Sequence, residues 1–142
     1  MNQKTGWTIF VVGVLLMLFA ITLEPNLLEA EPPQNSPKEH KLLIKKIKNK
    51  WKVVDASDTT RTKIYAKRGE KITWTAVGTD AYFQFMGIKL FGNYTKSLKA
   101  GQKLTLVIGN KARLGIHQYA VFCLPDKEFA EGDSPPELDL GP

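Results

Sequence analysis

The sequence predicts an all-β protein: an antiparallel Greek-key β-sandwich, preceded by one N-terminal transmembrane helix. Three observations predict it. Apolar and polar residues alternate with a period of two through most segments after His40. Glycine-bearing turns separate these segments, and no window beyond residue 40 carries a sustained helical stripe. Many short alternating strands with turn signals between them suit a sandwich, which buries the inner faces of two sheets against each other.

The helix comes first in the chain. "WTIFVVGVLLMLFAITL", from Trp7 to Leu23, carries no charge and follows Lys4. At 1.5 Å per residue it reaches about 26 Å. That nearly spans a hydrocarbon core of about 30 Å, with Trp7 at the interface. A cleaved secretory signal is the alternative, but a small-x-small cleavage site is not well placed: Ala30 has Leu28 two residues before it and lies past the apolar run. Residues 1–24 are therefore read as a membrane anchor or signal segment. Either way Lys4 stays in the cytoplasm and the rest is exported. The expected location is the cell membrane, single-pass, with the domain on the extracytoplasmic side; cleavage would make it periplasmic or secreted. Residues 25–40 read as a proline-rich linker and residues 41–142 as the sandwich.

The linker gives way to "KIKNKWKVV", where Lys46, Lys48, Lys50 and Lys52 alternate with Ile47, Asn49, Trp51 and Val53. A strand sends successive side chains to opposite faces. One face is expected to be lysine and the other mostly apolar, with Asn49 at a turn or bulge between two short strands. Next, a strand over Lys63–Ala66 meets a turn at Arg68-Gly69, and another runs from Lys71 to Val77. "KRGEKITW" is echoed by "KAGQKLTL", the same turn-then-strand device used twice. In "YFQF", Tyr82 and Gln84 share one face while Phe83 and Phe85 share the other. "GIHQYAVFC" and a short "ELDL" complete the strands.

Charge is unevenly spread. The formal net charge is +6, with 12 basic and 4 acidic residues between Lys38 and Lys71. Such asymmetry points to an acidic partner or an anionic surface, an ordinary solvated face being the alternative. The lysines at 46, 48, 50 and 52 are the candidate binding residues. A nucleic-acid role is not expected: the basic region has no recognisable nucleic-acid motif, and the domain is read as exported.

The order "GEKITW", "GTDAYFQF", "KAGQKLTL", "GIHQYAVFC" resembles the cupredoxin-like, or blue-copper-protein-like, β-sandwich. The resemblance covers roughly His40 to Leu140. Its most telling piece is "GIHQYAVFCLP", where Gly115, Tyr119 and Cys123 stand as in the family's strand that carries the copper-binding thiolate. It implies a site of two histidines and one thiolate with a weak axial methionine. Here the ligands fall away. No Met follows Cys123, the loop offers Asp126 where a second His would stand, and "TDAYFQF" holds no His. His117 lies six residues before Cys123 on one strand, roughly 20 Å away if the strand is straight. His40 lies at the end of the linker. Cys123 and Asp126 remain as weak metal candidates. The lone thiol is otherwise read as a small buried hydrophobe, packed with Tyr119 and Val121.

The expectation is a membrane-tethered extracytoplasmic cupredoxin-like domain without a complete copper site, acting as a binding or assembly module. Its partners would be the membrane, through the N-terminal helix, and an envelope protein with an acidic surface. No cofactor is expected. No nucleophile elbow, phosphate loop or metal-binding cluster marks it as an enzyme. The alternative is a copper-binding electron-transfer or copper-delivery protein that uses Cys123.

Overall fold

The alternating segments become strands in a computed structural model of the chain, which describes residues 36–131 and 135–142. In chain order these are β1 (Glu39–Ile47), β2 (Lys50–Asp55), β3 (Lys63–Ala66), β4 (Lys71–Ala76) and β5 (Ala81–Phe85). A short helix, α1 (Ile88–Phe91), precedes β6 (Thr95–Leu98), β7 (Lys103–Val107), β8 (Gly115–Cys123), β9 (Glu128–Phe129) and β10 (Glu137–Leu140). The expected anchor, and all of the expected linker before residue 36, lie outside the described residues. No helix among the described residues is long and apolar enough to cross a membrane. The sandwich opens at Glu39, slightly before the expected start at residue 41.

The strands form two sheets. One has the order β2-β1-β4-β7. The other has the order β3-β10-β8-β5-β6, with β9 paired to β8. The sheets are mixed, which corrects the expectation of a purely antiparallel sandwich. β1 pairs with β4, and β3 with β10, in parallel. After the β1–β2 hairpin the chain visits the second sheet as β3. It then crosses back to lie beside β1 in the same direction, and parallel neighbours need such a crossover.

Local chemistry sets the turns. Lys48 and Asn49 adopt positive φ, 49° and 64°. That makes the β1–β2 connection a two-residue hairpin of the kind that matches strand twist. The echoed segments place Gly69 (φ 82°) and Gly101 (φ 76°) ahead of β4 and β7. The two echoes pair with each other, Thr73 opposite Thr105. Gly109 is required for space, since a Cβ there would lie 2.3 Å from the Lys89 carbonyl oxygen of α1.

Trp74 of β4 is fully buried and bridges the sheets. Its ring meets Phe83 at 5.2 Å, Phe91 at 5.5 Å and Tyr119 at 5.9 Å, all edge to face. Its Nε1 donates to the Tyr119 hydroxyl at 3.1 Å. The expected facing of "YFQF" holds: Phe83 and Phe85 are buried, Tyr82 and Gln84 exposed. From the following stretch Leu90 and Phe91 enter the core, while Met86 and Ile88 stay at the surface.

Candidate functional site

β8 carries Cys123 at its end. Alternation turns Tyr119, Val121 and Cys123 inward, and Cys123 has no exposed surface. Its neighbour across β5 is Ala81. The turn leading into β5 supplies Thr79, itself buried, whose hydroxyl donates to the Asp80 carbonyl at 2.7 Å. Burial pushes the thiol up to about 11; the nearby Thr79 hydroxyl opposes this, and the Asp126 and Glu128 carboxylates add to it. At neutral pH the group is a protonated, enclosed thiol. The thiolate is the form that attacks or binds metal. Thr79 was not singled out in sequence. A threonine in a Gly-Thr-Asp turn carries no signal of what its hydroxyl meets once the turn is folded.

Asp126 lies in the turn between β8 and β9. Its Oδ2 accepts Lys46 Nζ at 2.6 Å and Trp51 Nε1 at 2.7 Å. Those two hydrogen bonds, Lys46 first, hold its carboxyl below the usual range. Asp126 thus clasps the β8–β9 turn to the β1–β2 hairpin. His117 shares the inward parity of Cys123 but sits toward the other end of β8, donating to the Arg113 carbonyl. His40 lies in β1 and meets Glu70 at 2.7 Å. Burial raises the Glu70 carboxyl, but the His40 hydrogen bond and the Lys67 N–H prevail and hold it low.

Among the described residues no three His, Cys, Asp or Glu side chains converge as a metal site would require. As placed, the donors do not fit a copper ion. The sulfur is enclosed against Thr79, the carboxylate serves Lys46 and Trp51, and each histidine has a partner elsewhere.

The lysines are arranged differently from the expected single face. The hairpin register sets Lys46 opposite Trp51, Lys45 opposite Lys52, and Ile47 opposite Lys50. Lys46 therefore lies on the core side, at the sandwich end, with its ammonium 5.6 Å from the Trp51 ring centre. Lys50 and Lys52 lie on the outer side, and Lys48 is in the turn. Lys50 also meets Glu131 at 3.4 Å. Ile47, Lys48, Lys50 and Lys52, together with Thr59, Thr60 and Thr62, line an open groove of about 510 Å³.

No family model matches the chain, and no curated protein sequence matches it. Among solved structures the chain is similar to amicyanin. A copper(I) form of a methionine-to-alanine amicyanin mutant is 16% identical, with a TM-score of 0.43, over 71% of this chain and 80% of that one. An oxidised methionine-to-lysine mutant is 16% identical, with a TM-score of 0.43, over 77% of this chain and 95% of that one. Amicyanin is a cupredoxin, the family of the sequence resemblance. The described residues form a β-sandwich with almost no helix. The sandwich itself stands on the strand pairing, and the copper belongs to those proteins.

Proposed function

We propose that this chain is a membrane-tethered, extracytoplasmic cupredoxin-like module that binds or assembles with a partner, without catalysis and without a complete copper site. The observation that carries this reading is the environment of Cys123: a fully buried, protonated thiol, with Asp126 engaged by Lys46 and Trp51. A ligand thiolate needs the opposite, a depressed pKa and converging imidazoles. The tether is supported by the uncharged run from Trp7 to Leu23. An exported module with a basic surface favours an acidic or anionic partner.

The test is copper(II) titration of the full chain in detergent, followed by absorption and bound-metal analysis. The expected outcome is a colourless protein that retains no stoichiometric copper. An intense blue charge-transfer band that disappears in Cys123→Ser would overturn the reading in favour of copper delivery or electron transfer.

A further inference from the structure

The register of the four-stranded sheet gathers more positive charge on one face than the hairpin alone. The register sets Lys50 and Lys52 of β2, Lys41 and Lys45 of β1, Lys71 of β4 and Lys103 of β7 on the same outer side, where Val54 and Thr73 are buried between them. Threonines fill positions between them: Lys41 lies opposite Thr73, and Lys103 opposite Thr75. Two acidic side chains stand on this face: Glu131 at the β2 edge, which meets Lys50, and Glu39, which accepts a hydrogen bond from Thr73. That bond, with Lys41, Lys71 and Lys103 close by, holds its carboxyl low. Two carboxylates do not balance the six lysines around them. Lys45 and Lys52 stand directly opposite each other. Among the described residues neither forms an ion pair, nor do Lys71 and Lys103. Like charges directly opposite across a ladder are destabilising. An anionic layer over the face would relieve that repulsion.

We infer that this outer face lies against the headgroups of an anionic bilayer. The composition of the face chooses lipid over protein. Protein interfaces are enriched in arginine and aromatic residues and depleted in lysine. The outward positions of these strands hold lysine and threonine with a few aliphatic side chains, and neither arginine nor an aromatic ring. Lysine is a compact point charge, suited to a diffuse sheet of phosphates rather than to a shaped bidentate contact. The inference deepens the function proposed above, from which it takes the membrane tether.

The experiment uses the full chain mixed with vesicles of phosphatidylcholine alone, or with about 30 mol % phosphatidylglycerol, at near-physiological salt. Flotation reads association, and amine acylation followed by mass mapping reads each lysine. The expected result is flotation with both vesicle types. Acylation of Lys45, Lys52 and Lys103 should fall about fivefold or more only on the anionic vesicles and recover at about 0.5 M salt. Lys67, Lys89 and Lys127, exposed elsewhere, should label equally in both. Combined Lys45→Gln, Lys52→Gln and Lys103→Gln should abolish the protection of Lys41 and Lys71 without lowering the thermal midpoint, since it removes repulsion.

Flotation with both vesicles but equal labelling would overturn the lipid face and leave the tether standing. Flotation with anionic vesicles alone, with the face protected, would uphold the face and overturn the tether. Flotation with neither would overturn both. Protection that appears only when an acidic protein is added would assign the face to a protein and overturn the lipid reading.

Discussion

At the scale of single residues, Cys123 and Gly109 make opposite demands. Cys123 needs enclosure. Its thiol should resist a disulfide reagent at pH 8 in the folded chain and react at once in denaturant; rapid labelling without denaturant would refute the burial. The sign of its pH effect follows from the shift. The acid's pKa is raised from 9.0 unfolded to about 11 folded. The stabilisation is thus fully present below pH 9 and is lost as pH rises through about 11. Cys123→Ala should cost about 1 kcal/mol at pH 7 and make the unfolding midpoint less sensitive to pH between 9 and 11. Gly109 needs the absence of a side chain. Gly109→Ala should lower stability by about 1–3 kcal/mol in chemical denaturation, because backbone and not a flexible side chain stands in the way. Alternation along "GIHQYAVFC" made the burial of Cys123 legible in sequence. The requirement at Gly109 was not legible, since it depends on α1 and the β7–β8 connection meeting in space.

The β1–β2 hairpin shows why elements were read more surely than faces. Period-two alternation through "KIKNKWKVV" correctly gave strands and put Asn49 at the turn. It also suggested that the four lysines share one side. A two-residue turn pairs Ile47 with Lys50, so even-numbered positions of β1 oppose odd-numbered positions of β2. Lys46 thereby falls with Trp51, while Lys50 and Lys52 fall with Ile47 and Lys45. Parity read along the chain cannot pass through a reversal of direction. The turn makes a prediction of its own. Lys48 and Asn49 hold left-handed backbone that Asn-Gly adopts more readily. Lys48→Asn with Asn49→Gly should raise stability by about 0.5–1 kcal/mol, read as a higher denaturant midpoint at unchanged slope. The clasp at Asp126 makes another. Its folded pKa is lowered, so its contribution is present above the unfolded value of 3.8 and is lost as pH falls through the lower folded one. Asp126→Asn should weaken the fold at pH 7 and flatten that acid dependence; a variant with the parent's acid profile would remove Asp126 from the account.

For the molecule as a whole, two sheets adhere through a core of apolar side chains, and Trp74 with Tyr119 adds one polar bond inside it. The sandwich class was legible because sheets packed face to face must alternate. The mixed order of the sheets was not, because crossovers leave no periodic trace. The core bond is asymmetric in its demands. Tyr119 is fully buried, and desolvation pushes its phenol far above the usual range, so the hydroxyl stays neutral and its oxygen accepts from Trp74 Nε1. Tyr119→Phe would leave the buried indole N–H without its acceptor, at about 1–3 kcal/mol. Trp74→Phe would remove the donor and much of the ring that meets Phe83 and Phe91, at a larger cost. Once the indole is gone, the Tyr119 hydroxyl has no partner there to lose. The double variant should therefore be less destabilised than the sum of the two, by about 1 kcal/mol. Strict additivity in chemical denaturation would mean that the sheets are held by apolar packing alone, with the bond contributing nothing between them.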